Sequence, residues 1–152
     1  MASAPRQAWG DLPTTAFVES SILFRSLDVD ARRDLLQLAE LVSFSPGELV
    51  SGEADEVFYL VLDGSAAVVG EAGEAGGARV EITRIERGAL FGAARVLGAG
   101  RRWALAAVSD LTVVAFPAPV IAAVASRFPK VRKLLEAVQT AREKEAAGKV
   151  AS

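Results

Sequence analysis

Cysteine and histidine are both missing from this 152-residue sequence. Without cysteine there is no disulfide framework and no thiol nucleophile, a composition that fits a reducing compartment. Without histidine the commonest general base is gone, and with it histidine-dependent triads and most transition-metal sites. A charge imbalance is missing too. The 17 basic and 19 acidic side chains leave a net charge of −2, which gives no general pull toward nucleic acid or anionic lipid. The longest apolar stretch, Leu111 to Ala125, is too short to span a bilayer and is broken by Pro117 and Pro119. Met1 to Thr15 carries prolines, Arg6 and Trp9 but no apolar central run, so it does not read as a secretory signal. These absences predict a soluble cytoplasmic protein that contacts neither membrane nor nucleic acid. They also predict no metal, no resident cofactor and no catalysis, since no nucleophile–base pair is evident.

What is present is a composition 51% hydrophobic and 24% charged, enough for one domain with a sizeable core. Residues 1–13 read as a flexible lead, 14–146 as a single domain and 147–152 as a tail. From Thr14, the apolar positions Phe17, Val18, Ile22 and Leu23 predict a short helix. Asp28 or Asp30 then caps a second helix running from Ala31 to Leu41, with Leu35, Leu36, Leu38 and Ala39 on its inner side. After Ser45-Pro46-Gly47 the periodicity shortens. Runs such as Val57-Phe58-Tyr59 and Ala67-Val68-Val69, punctuated by Gly47, Gly52, Gly64 and Gly70, predict strands of a sandwich or barrel. Gly70 to Ala78 reads as a hairpin loop. Val80 to Ile85 rebuilds a strand, Trp103 to Ala107 and Leu111 to Phe116 supply two more, and helices follow over Val120–Ser126 and from Val131 to about Ala146. Val131, Leu134, Leu135 and Val138 form a stripe at i, i+3, i+4, i+7 on the last helix. The acidic run Glu48, Glu53, Asp55, Glu56 and Asp63 reads as turn decoration rather than as a hydrolytic carboxylate pair.

The most informative stretch is Phe91-Gly92-Ala93-Ala94-Arg95-Val96-Leu97, followed after Gly98-Ala99-Gly100 by Arg101-Arg102-Trp103-Ala104. A glycine opening a short turn exposes backbone N–H groups, and a guanidinium on a following strand can add bidentate bonds to the same anion. This stretch resembles the phosphate-binding cassette of the cyclic nucleotide-binding domain family, whose pattern runs Phe-Gly-Glu, a short helix, then Arg-(Ser/Thr)-Ala. Phe44-Ser45-Pro46-Gly47-Glu48, Gly52, Tyr59-Leu60-Val61-Leu62-Asp63-Gly64 and Phe128-Pro129 are similar to further parts of that pattern, so the resemblance covers roughly Leu23 to Val138. It implies a mainly β fold with flanking helices: an antiparallel jelly-roll β-barrel with N-terminal helices and one or two C-terminal helices.

The resemblance also implies ligand-contact candidates: Phe91, Gly92, Ala93, Ala94, Arg101, Arg102, Trp103 and Ala104. Counting forward from Gly92 gives Arg102 the phosphate role, and counting back from Ala107 gives it to Arg101. Two departures bear on function. Ala93 replaces the glutamate that accepts from the ribose 2′-hydroxyl in the family, a loss of about 1.5–3 kcal/mol. Trp103 stands where the pattern has a small residue, either filling the pocket or offering a platform for a base. Two functions remain open. One is an adaptor or regulatory module that kept the fold, lost its nucleotide pocket and works through a protein partner or a homodimer. The other is a sensor for a cyclic nucleotide, cyclic dinucleotide or other phosphate-bearing ligand that moves its C-terminal helix. The stripe on the last helix reads first as packing against its own domain; the family's corresponding helix lids the ligand and often dimerises, which makes Val131, Leu134, Leu135 and Val138 candidate partner contacts. Transcription factors of the catabolite-activator type carry a recognition helix after this helix, and only Gly148 to Ser152 follow it here, so sequence-specific DNA binding is not expected.

Overall fold

The Asp28 carboxylate caps a helix, its Oδ1 accepting the Ala31 N–H at 2.8 Å. In the computed structural model, which describes residues 6–7, 21–52, 55–71, 79–98 and 103–150, this helix is α2 (Val29–Gln37). A single turn, α1 (Ile22–Arg25), precedes it and is capped by Ser21. Arg32 ties the two together by donating from Nε to the carbonyls of Phe24 and Leu27 at 2.9 and 3.0 Å. Phe17 and Val18, expected on the first helix, lie outside the described residues. The second helix is shorter than the expected Ala31–Leu41. Leu38 closes it, its N–H donating to the Leu35 carbonyl while the Ala39 N–H donates to that of Leu36, and its side chain is 48% exposed rather than inward. From Glu40 the sequence alternates with period two, and Glu40-Leu41-Val42-Ser43-Phe44 pairs as a strand.

The remaining elements are β1 (Arg6–Gln7), β2 (Glu40–Phe44), β3 (Leu49–Ser51), β4 (Val57–Asp63), β5 (Ala66–Glu71), β6 (Arg79–Ile85) and β7 (Leu90–Phe91). The short helix α3 (Ala93–Leu97) follows, then β8 (Ala104–Ala107), β9 (Leu111–Pro117), α4 (Ala118–Arg127) and α5 (Pro129–Val150). The strands form two sheets, ordered β1-β2-β9-β4-β7 and β3-β8-β5-β6, and the pairings are antiparallel. This is the expected jelly-roll arrangement with flanking helices, except that the two sheets do not close into a barrel.

Strand β4 shows how one segment serves two cores. Phe58 and Leu60 point to the helices, while Tyr59 and Val61 point to the other sheet. Burial on both faces explains why Val57 to Leu62 reads as a continuous apolar run rather than an alternating one. The helix-side core also holds Leu23, Phe24, Leu35, Phe116, Ile121, Val131 and Leu135, with the Phe24 and Phe116 rings 6.0 Å apart and tilted by 43°. The inter-sheet core holds Val68, Ile82, Phe91, Trp103, Leu105, Val113 and, from α5, Ala146. Helix α5 starts at Pro129, where a missing N–H costs nothing, and runs beyond the expected end near Ala146.

Candidate functional site

Strand β7 pairs with β4 through Tyr59↔Phe91 and Leu60↔Leu90 and delivers the chain to Gly92. Gly92 has φ +113°, and a Cβ there would lie 3.0 Å from the Val57 carbonyl oxygen and 3.2 Å from Phe58 Cα. Backbone conformation and crowding therefore both demand glycine, independently of any ligand. Its carbonyl accepts from the Arg95 and Val96 N–H groups, starting α3. Ala93, Ala94, Arg95 and Val96 are all buried, and Ala93 and Val96 pack into the helix-side core. Where the cassette pattern has a glutamate, this chain has a methyl group in an apolar cluster.

Arg95 is the buried cation of this region, 6% exposed. Its Nη2 donates to the Gly52 carbonyl at 2.6 Å and to the Trp103 carbonyl at 3.0 Å, and its guanidinium carbon lies 4.8 Å from the Phe91 ring centroid. One side chain thus joins the loop after β3, the start of β8 and the end of β7. Trp103 itself is 4% exposed and packs over β5 at Gly70. Its Nε1 is buried without a hydrogen-bond partner among the described residues, so the indole is held by shape.

Helix α5 covers the same site. Arg142 donates from Nη2 to the Leu90 carbonyl at 2.9 Å, and Thr83 on β6 donates to Glu145 at 3.0 Å. Burial lowers the Arg142 pKa below the usual arginine value, with Glu145 pulling the other way. Gln139 is buried and donates to Glu143 at 2.8 Å. Between Gly92, Ala94, Arg95, Trp103, Gln139 and Arg142 a cavity of only about 10 Å³ remains, roughly the room of one water.

Of the ligand-contact candidates, Phe91, Gly92, Ala93, Ala94 and Trp103 come together around this remnant, and Ala104 is buried on β8 opposite Val69. Arg101 and Arg102 lie outside the described residues. Of the candidate partner stripe, Val131 and Leu135 are fully buried in the helix-side core of their own domain, and Leu134 and Val138 are half-buried against it. Sequence reasoning missed Arg95, Gln139 and Arg142. Arg95 stands four residues after Phe91, and Gln139, Arg142 and Ala146 continue the stripe past Val138 at helical spacing. It also misplaced Gly70, which lies within β5 rather than in a loop. A Cβ there would meet Trp103 Cδ1 at 2.7 Å. Gly70→Ala is accordingly expected to cost about 1–3 kcal/mol by overpacking, read as a fall in melting temperature accompanied by a shift in tryptophan emission.

No protein-family model matches the sequence, and no curated protein does. Solved structures do. A candidate cAMP-binding regulatory protein from Silicibacter pomeroyi DSS-3 superposes with a TM-score of 0.64 at 22% identity, over 89% of this chain and 62% of that one. The regulatory subunit of a cAMP-independent protein kinase A from Trypanosoma cruzi, bound to guanosine, gives 0.61 at 19%, over 85% and 50%. The catabolite activator protein of Thermus thermophilus gives 0.62 at 25%, over 82% and 59%. This chain has the cyclic nucleotide-binding domain fold. It spans less than two thirds of each of these three solved chains. Ala93 and Trp103 lie beside the small cavity that Arg95, Gln139 and Arg142 also line. Among the described residues no helix is long and apolar enough to cross a membrane.

Proposed function

We propose that this chain is a non-catalytic regulatory or adaptor module whose nucleotide pocket is occupied by its own side chains and which acts through protein contacts. The observation that carries the reading is the cassette cavity of about 10 Å³, filled by Trp103 and bordered by Arg95 and Arg142. A nucleotide has no room there unless the indole and α5 both move. The solved relatives with this fold include regulatory proteins, which supports regulation over catalysis. With Val131 and Leu135 buried in their own domain, a partner has other apolar side chains to meet: Ile22 and Val29 of the N-terminal helices are half-exposed or more, and Leu38 is 48% exposed.

The second reading, a sensor that moves its C-terminal helix, draws support from one feature. Gln139 and Arg142 place α5 directly on the cassette, so any ligand entering would displace that helix. Cyclic AMP, cyclic GMP and cyclic di-GMP at millimolar concentration separate the two. The adaptor reading expects an unchanged melting temperature and no titration heat. A ligand bound a hundredfold below its own concentration would stabilise the fold by about 2.7 kcal/mol, and such a shift would decide for the sensor.

A further inference from the structure

Among the described residues, strand β6 ends the second sheet and pairs on one side only, with β5. An edge of seven residues is long enough to accept another strand, and folded proteins cover or charge such edges. Here the cover is α5. Thr83 donates to Glu145 at 3.0 Å, and Ala146 packs in the inter-sheet core that holds Ile82. Arg142 reaches the Leu90 carbonyl on β7, the strand that ends the first sheet. The second half of α5 therefore closes the side of the sandwich on which β6 and β7 stand.

The register of β6 makes the covered edge complementary to itself. The adjacent β5 residues Val68 and Val69 pair with Thr83 and Glu81, so Ile82 is an extra residue, a β-bulge. The bulge turns residues three apart to one face. Ile82 and Ile85 both enter the inter-sheet core, while Glu81 and Arg84 are both exposed and form an ion pair at 2.9 Å. A second copy laid antiparallel along this edge, with its two-fold axis between Ile82 and Thr83, sets Glu81 of each chain opposite Arg84 of the other. The same register sets Val80 opposite Ile85, apolar against apolar. Both copies carry the bulge, so the faces match on either side of it. Two ion pairs within chains become two across strands, of the kind that stabilises antiparallel pairing.

We infer that β6 is a self-pairing edge held in reserve: docked α5 covers it, and a second copy of this chain adds to it when the second half of α5 lifts away. The device is independent of the cassette and stands whether or not a nucleotide enters there. Size exclusion with light scattering, together with amide exchange of the full chain, tests it. Ala146→Asp puts a carboxylate into the inter-sheet core and is expected to undock the end of α5. The particle mass should then double, with β6 amides gaining protection and α5 amides losing it. Arg142→Met with Glu145→Ala removes the two polar ties instead, and should act in the same direction if the aspartate variant fails to fold. Adding Glu81→Arg to either variant is expected to weaken the dimer about tenfold, since the two-fold axis converts two attractive pairs into two like-charge pairs. Adding Arg84→Glu as well should restore it. A released chain that stays monomeric while α5 exchanges freely, or a dimer indifferent to Glu81→Arg, would overturn the proposal. So would a parent chain already paired through β6, or nuclear Overhauser contacts placing the chain's own residues along that edge.

Discussion

Trp103→Ala is expected to lower the melting temperature by about 10 °C and to create a cavity that free indole refills. The indole is 4% exposed and sits in the inter-sheet core with Ile82, Phe91, Leu105 and Ala146, a residue of α5. Deleting a buried side chain of this size costs about 3–5 kcal/mol, because transfer energy is lost and the surroundings collapse only partly. Collapse is limited here because strand β5 lies under the ring at Gly70 and cannot move inward without breaking its pairing with β8. At roughly 2–4 °C per kcal/mol for a chain of this length, the loss is large enough to read directly. Indole added to the variant should raise its melting point, as apolar guests do in engineered dry cavities. A variant melting within about 2 °C of the parent would mean that the ring contributes little packing and that the cassette is loosely filled.

Arg95→Leu is the second large effect, and two opposing terms decide its sign. Replacing a buried guanidinium by an apolar group relieves a desolvation cost of several kcal/mol. Against that, the Gly52 and Trp103 carbonyls lose a charged donor at 2.6 and 3.0 Å. The Trp103 carbonyl is buried at the start of β8 and cannot turn to water, whereas the Gly52 carbonyl keeps its bond from the Asp55 N–H. The orphaned Trp103 acceptor costs about 1–3 kcal/mol, the lost charged bond to Gly52 a further share, and the stacking on Phe91 about 1 kcal/mol. The carbonyls win, and a net loss of about 2 kcal/mol is expected in urea unfolding. Arg95→Lys should recover only part of it, since an ammonium does not present the planar fork that reaches both carbonyls while lying on a ring. A leucine variant more stable than the parent would show that the guanidinium is tolerated there rather than used as a strut.

The fold was legible wherever the sequence pattern had a single local cause. Asp28 announces its helix because a carboxylate before an apolar-periodic segment has few other uses, and Phe91-Gly92 marks a turn whose φ of +113° only glycine adopts easily. The pattern misled where two periods overlap. Leu35 to Leu41 satisfies a helix until Leu38 and a strand from Glu40, and the apolar content alone does not say where one stops. The candidate site was half legible. Trp103 stands out because an indole occupies a small-residue position. Arg95 and Arg142 do not, because their partners are the backbone carbonyls of Gly52, Trp103 and Leu90, which carry no residue identity. The stripe on α5 was read as apolar with its own domain as the first neighbour and a partner as the alternative, and Val131 and Leu135 lie in the core of their own domain. Periodicity reports that a face is buried without reporting against what.

The claim that the cassette is closed from within rests on where the Trp103 ring lies, and iodide quenching reads that position. In the Trp9→Phe chain Trp103 is the one remaining indole. Its emission is expected to be blue-shifted and nearly insensitive to iodide, with or without cyclic AMP or cyclic GMP. An indole that iodide quenches freely, or that becomes quenched or protected when either nucleotide is added, would contradict the account.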